Sequence, residues 1–385
     1  MYKIQTLNNI HDSGLAQLRD IGYEVTDSGE LNPDAIIVRS ANMHDMAINP
    51  ELLSIARAGA GVNNIPVERC ADCGIVVFNT PGANAEAVKE ITICAMLMAS
   101  RDIIGGIDWV RSVKGTDDIP SQVEAEKSKF AGPEIKGKSL GVLGLGAIGV
   151  LVADAAMDLG MKVYGYDPYL TVASALRLSG NIIIANELET IYRNCDYITL
   201  HLPYIPETNK FINAAAISKM RDGVRLINIA RGELVNDEDI LEALKTGKVV
   251  KYVTDFPNDV VTGAPGVIAF PHLGASTPES EENCAAMAAA QTIEYLKNGN
   301  IINSVNIPNL MLNRTGEGRL CVIHRELPED VFQDIIKKDG NVSINMKSAY
   351  GDGLTYTIIE TERKLDEAIG KAVKACEGVI RVRII

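Results

Sequence analysis

The sequence lacks an excess of basic charge, a long uncharged apolar run, an export leader and a cysteine pattern that would staple a small fold. Fifty acidic residues face 37 basic ones, giving a net charge of -13 over 385 residues. A basic face for nucleic acid or an anionic membrane is therefore not expected. The longest informative uncharged run, Val260 to Pro278, contains Pro265, Pro271 and Pro278 and three glycines, which excludes a spanning helix. The opening residues, MYKIQTLNNI, read as a polar-flanked strand with no cationic region followed by an apolar stretch. The expected setting is cytoplasmic. Seven cysteines, an odd number, are scattered through the chain, as in a reducing compartment. Cys70-x-x-Cys73 has no second pair or histidine at ligand spacing nearby, so no metal site is expected.

Short apolar runs alternate with helical patterns, the mark of a mostly parallel sheet. YKIQTL, AIIVRS, LSIARAG and GIVVFNT read as strands, and Asn84 to Arg101 as one long apolar helix with Asn84 as its N-cap. A second alternating block runs from Lys138 to about Pro271. Thr277-Pro278-Glu279 then opens a further helix that Gly299 ends. Ser304 to Gly318 loses periodicity and reads as a linker. The last 70 or so residues read strand, helix, strand, strand, helix, strand, a ferredoxin-like split βαβ pattern. Leu365, Ile369, Ala372, Val373 and Cys376 form one helical stripe there; Val342, Ile344 and Met346 form one strand face.

The strongest local signal is Gly144-x-Gly146-x-x-Gly149, after an apolar strand and opening a helix. Gly144 makes the tight turn, Gly146 lets the backbone approach a pyrophosphate, and Gly149 allows close helix–strand packing. The helix N-terminus offers free N–H donors to phosphates. Asp167, 21 residues beyond Gly146 at the end of the next strand, suits the ribose hydroxyls and would repel a 2′-phosphate. NAD is favoured over NADP.

Oxidising a secondary alcohol also needs a cation to orient the substrate and a group near neutral pKa to take the hydroxyl proton. Among five histidines, His272 in FPHLGAST sits at a strand end; Arg231 in LINIARGEL does likewise; Asp255 and Asp259 flank a turn after a third strand. Each has a plainer reading: Arg231 as partner of a surface carboxylate, His272 as a helix cap, Asp259 as a turn acid. Their joint placement at the ends of successive strands beyond a nucleotide motif favours function.

GLGAIG, NIARGEL, PHLGAST, RAGAGVNNI and NTPGANAEAVKE together resemble the D-isomer-specific 2-hydroxyacid dehydrogenases, and the C-terminal unit resembles an ACT domain. The resemblance implies an α/β protein in which a Rossmann-type doubly wound cofactor domain (97–282) is inserted in a flavodoxin-like substrate domain (1–96, returning at 283–312), with a ferredoxin-like ACT regulatory domain at 313–385. It implies NAD-dependent oxidation of 3-phosphoglycerate to 3-phosphohydroxypyruvate, the first step of phosphorylated serine synthesis, at a cleft between domains. By motif match Arg231 binds the carboxylate and C2 oxygen, His272 is the general acid/base and Asp259 supports it, although its side chain and turn are each one unit shorter than the family's glutamate pattern. Ala60, Gly144, Gly146, Ala147, Ile148, Gly149, Asp167, Leu202, Pro203, Ile229, Asp255, Gly274 and Ala275 fall at cofactor-contacting positions.

Arg39 and Ser40 match the residues that hold the substrate phosphate, with Arg57, Asn84 and Lys129 as further candidates. A bulk charge of -13 repels a phosphorylated acid, so a local cationic cluster is required. The loop after the first C-terminal strand keeps His324 and Pro328 but carries Glu326 and Glu329; two carboxylates predict weak or absent serine inhibition there. A homodimer or homotetramer is expected, with a two-fold interface along Ile91 to Trp109. The alternatives are a glyoxylate or hydroxypyruvate reductase of the same family, in which Arg39 has no partner, and an NAD-sensing corepressor with little turnover.

Overall fold

The computed structural model describes every residue except 28–31, 171–174 and 326. It contains two compact units, residues 1–84 with 278–385, and residues 85–277.

The first unit opens with a fully parallel sheet of β1 (Lys3–Leu7), β2 (Glu24–Thr26), β3 (Ala35–Val38), β4 (Ser54–Arg57) and β5 (Val76–Phe78) in the order β2-β1-β3-β4-β5, the flavodoxin-like order. The expected strands form because their apolar residues are buried on both faces; Ile36, Ile37, Val38, Ile55 and Val77 are all within the core. The helix Pro278–Asn298 covers one face through Ala285, Ala288, Tyr295 and Leu296. It starts at the expected proline and stops before Gly299, which sits at φ 72°.

The remainder of this unit is a four-stranded antiparallel sheet of β13 (Gly318–His324), β14 (Ser343–Gly351), β15 (Leu354–Thr361) and β16 (Val379–Ile384), in the order β14-β15-β13-β16. Helices Glu329–Lys338 and Glu367–Lys374 bury Phe332, Ile336, Ile369 and Val373 against one face, as in a ferredoxin-like fold. The opposite face is no less buried. Cys321, Ile323, Tyr356 and Ile358 join Ile4, Phe78, Tyr295 and Ile301 in one continuous core.

Two sequence expectations change here. Residues 304–318 are no free linker: Ile307 and Leu310 are buried, and Asn306 bonds Ile75 O and Val77 N. Val342 and Ile344 are exposed, because a bulge between Ser343 and Asn345 breaks the alternation on this edge strand.

The second unit is a seven-stranded, fully parallel sheet: β6 (Ser139–Leu143), β7 (Lys162–Tyr166), β8 (Ile183–Ile184), β9 (Tyr197–Leu200), β10 (Val224–Asn228), β11 (Val249–Thr254) and β12 (Val267–Ala269). Its order, β12-β11-β10-β9-β6-β7-β8, reverses direction at the β6/β9 pair, where doubly wound folds bind dinucleotides. The helix Ala85–Ser100 packs Val88, Ala95, Met96 and Ala99 into this core beside Leu140, Ile227 and Val253. The compact units meet at 84/85 and 277/278; the sequence reading drew its domain bounds at 96/97 and 282/283.

Candidate active site

The Gly144-x-Gly146-x-x-Gly149 turn leaves β6 and opens the helix Ala147–Asp158. Gly144 has φ 95°, and a Cβ there would lie 2.5 Å from His201 O; at Gly149 it would lie 1.9 Å from Gly144 O. Any larger residue at either place would open the turn. A Cβ at Gly146, by contrast, would meet nothing within 4 Å, which leaves exposed space in front of the helix N-terminus with Ala147 and Ile148 half-buried beside it. Asp167 follows β7 and accepts Leu145 N at 2.9 Å and Tyr169 N at 2.8 Å, one on each oxygen. Each oxygen keeps lone-pair capacity for a ribose hydroxyl. These residues fit a dinucleotide: space before the amide groups, and a carboxylate at the second strand's end. Leu202 is half-buried beside Gly144, and Pro203 is exposed.

Arg231, Asp255 and His272 follow the C-terminal ends of the adjacent strands β10, β11 and β12. Asn228, a fully buried residue that the motif reading missed, shapes the Arg231 turn by donating to Arg231 O at 2.8 Å and accepting Ala230 N at 3.2 Å. Its signal in the sequence is a lone amide ending an apolar strand. Asp255 is fully buried; its Oδ2 accepts Gly274 N at 3.3 Å, and its Oδ1 has no partner among the described residues. Burial pushes its pKa up, while the charges of His272 and Arg231 and the Gly274 N–H act against that rise. The charges associated with Arg231 and His272 thus both bear on one buried carboxylate. Ile229 is buried near Gly274, and Ala275 is half-buried.

His272 is exposed, stacks at a tilt on Phe256 with ring centroids 4.6 Å apart, and its ring makes no hydrogen bond among the described residues. The other histidines are occupied. His11 caps a helix, His44 bonds Asn63 O, and His324 is buried against Thr357. Burial drives His201 down to about 3, which keeps it neutral beside Thr199.

No hydrogen bond or ion pair joins Asp259 to the His272 ring among the described residues; Asp259 is exposed and makes neither with any of them. Asn258 takes the turn-forming role by accepting Val260 N and Val261 N, which leaves Asp259 in solvent.

In the first unit, Arg39 Nη2 donates to Glu281 Oε1 at 2.6 Å, a pairing the sequence reading missed because the residues are 242 apart. Ser40 is exposed. Arg57 donates its Nε to Arg39 O and folds over Gly59. Ala60 O accepts from Asn79. Asn84 Oδ1 is buried and unpartnered, so it does not cap the following helix as expected. In the second unit, Lys129 is paired with its neighbour Glu126. Glu326 lies outside the described residues. Among those residues no group of three or more His, Cys, Asp or Glu is arranged to hold a metal. Burial raises the Cys70 thiol to about 11, against a metal or redox role for that pair.

Residues 93–274 match the family described as D-isomer specific 2-hydroxyacid dehydrogenase, NAD binding domain. D-3-phosphoglycerate dehydrogenase of Methanocaldococcus jannaschii is 31% identical, over 89% of this chain and 66% of its own length. The enzyme of the same name from Haemophilus influenzae is 27% identical, over all of this chain and 97% of its length. Further curated relatives of that name are matched over only about half their length. The crystal structure of NAD+-bound 3-phosphoglycerate dehydrogenase from Entamoeba histolytica is 28% identical and superposes with a TM-score of 0.62, covering 81% of this chain and 99% of that one. Over residues 93–274 the chain carries the NAD-binding domain of the D-isomer specific 2-hydroxyacid dehydrogenases.

Proposed function

We propose that the protein oxidises 3-phosphoglycerate to 3-phosphohydroxypyruvate with NAD, the entry step of phosphorylated serine synthesis. The observation that carries this reading is the placement of Arg231, buried Asp255 and His272 just beyond three adjacent strand ends. Two relatives covering most of this chain bear the corresponding name. Arg231 holds the substrate carboxylate and C2 oxygen through its fork of donors. His272 accepts the hydroxyl proton on its free ring nitrogen as the C2–H bond breaks. Asp255 stabilises the resulting imidazolium through space, and Asp259 contributes at longer range from solvent. The amide groups at Ala147 and Ile148 hold the pyrophosphate, and Asp167 holds the ribose. Bound NAD supplies the hydride acceptor.

Arg39 and Ser40 hold the substrate phosphate, Arg57 and Asn84 support them, and Lys129 adds positive charge. The C-terminal unit acts as an ACT regulatory domain. A second copy of the chain covers the helix Ile103–Ser112, whose Ile103, Ile104, Ile107 and Val110 are all exposed; one-sided apolar exposure of this kind marks an interface. A cytoplasmic location accords with seven free cysteines.

The test follows NAD reduction by its absorbance change with matched 2-hydroxy acids, with and without a 3-phosphate. Turnover concentrated on 3-phosphoglycerate supports the reading. Equal or better turnover of the unphosphorylated acids would replace it with a glyoxylate or hydroxypyruvate reductase.

A further inference from the structure

The Arg39 guanidinium, the cation assigned above to a substrate phosphate, already has an anion. Glu281 Oε1 accepts from it at 2.6 Å, and both side chains are about two-fifths exposed, at 38% and 40%. Glu281 stands in the first turn of the helix Pro278–Asn298, with Glu279 in the same turn and Glu282 next in sequence. Carboxylates in that first turn offset the positive end of the helix, and one of them, Glu281, holds Arg39. A free helix N-terminus beside a free arginine would form an anion site; here Glu281 already holds the arginine. An arriving phosphate competes with Glu281 for the Arg39 guanidinium and remains near that carboxylate. The pair is exposed enough to break readily, so the arrangement grades affinity and does not block the site.

We propose that Glu281 is a specificity-determining residue: as the internal counter-anion of Arg39, it competes with the substrate phosphate and sets how strongly a phosphorylated hydroxy acid is preferred. This rests on Arg39 being the phosphate ligand. A substrate without phosphate leaves the pair intact, so Glu281 acts on one class of substrate and not on the other. The residue acts through Arg39 and takes no part in the proton or hydride transfer.

The experiment compares wild type, Glu281→Gln, Arg39→Ala and the double variant. Two readouts are used: the KM for 3-phosphoglycerate divided by that for D-glycerate, and calorimetric binding of inorganic phosphate. Glutamine keeps the size of the side chain and removes its charge. The expected result for Glu281→Gln is a five- to tenfold fall in the KM quotient, on the order of one removed like charge near a dianion, with tighter phosphate binding, and both gains lost in the double variant. An unchanged quotient with unchanged phosphate binding would overturn the proposal, as would gains that persist without Arg39. If Arg39→Ala weakens apparent affinity for 3-phosphoglycerate while Glu281→Gln changes nothing, the counter-anion role alone fails. If Arg39→Ala leaves that affinity where it was, the phosphate assignment fails and the counter-anion role falls with it.

Discussion

Arg319 and Glu360 form an ion pair with both side chains wholly removed from water. Arg319 also donates to Asn298 O and Leu312 O, and Glu360 Oε2 accepts the N–H groups of Thr315 and Gly316. Nearby, Arg383 donates to Tyr295 O and Leu296 O and lies over the Tyr295 ring at 4.4 Å. These arginines satisfy carbonyls at the end of the helix Pro278–Asn298, groups that a helix leaves without internal partners. The C-terminal sheet thereby finishes the core of the N-terminal one.

Breaking that pair is expected to destabilise the first unit. Glu360→Gln should cost about 3–5 kcal/mol, the range for leaving one member of a buried pair uncompensated, read as a lower urea midpoint. Burial alone would raise the Glu360 pKa, but the Gly316 and Thr315 N–H groups and Arg319 outweigh it and hold the value below 4.5. The folded value lies below the unfolded one, so the contribution is full above about pH 4.5 and is lost as pH falls through the folded value. The gap between wild type and variant should narrow over that acid range. A constant gap would contradict the assignment.

His272→Ala should lower kcat by about 10²- to 10⁴-fold, the usual worth of a general acid/base, with NAD affinity preserved. Stopped-flow turnover and NADH fluorescence titration separate the two, and undiminished turnover would remove His272 from the mechanism.

Asp255→Asn should slow the reaction yet stabilise the fold. The charged form of Asp255 is buried with one oxygen unpartnered, and burial raises its pKa. With the folded pKa above the unfolded one, the native state loses stability as pH rises through that interval. An uncharged amide avoids that loss. A gain of about 1 kcal/mol with roughly tenfold lower kcat is expected, from thermal unfolding and steady-state rates at neutral pH. A loss of stability would show that the two cations outweigh burial.

Arg39→Ala should weaken apparent affinity for 3-phosphoglycerate by roughly tenfold or more, the worth of a charge-assisted contact, while affecting glyoxylate reduction far less. Steady-state KM values for the two substrates check this. Equal losses would move the phosphate site elsewhere.

Serine at micromolar concentration should leave turnover essentially unaltered. His324 is buried and bonded to Thr357, Glu329 accepts from Tyr350, and a carboxylate in this loop repels an amino acid's own carboxylate. A clear drop in rate would reverse the expectation.

Local order settles a great deal in this chain. The glycine turn, the acid ending β7, and the placement of Arg231, Asp255 and His272 at strand ends all follow from spacing, because a short apolar run followed by a turn fixes where its C-terminal edge lies. The packed state decided the remainder. Asp255 was buried where the charges of Arg231 and His272 act on it, and Asn258 formed the turn beside an exposed Asp259. Residues 304–318 became part of the core, and the helix Ala85–Ser100 joined the cofactor unit, through packing between distant segments. The partners of Arg39, Arg319 and Arg383 lie 242, 41 and 88 positions away. A guanidinium selects whichever oxygen the folded chain brings within reach, and that choice has no local trace.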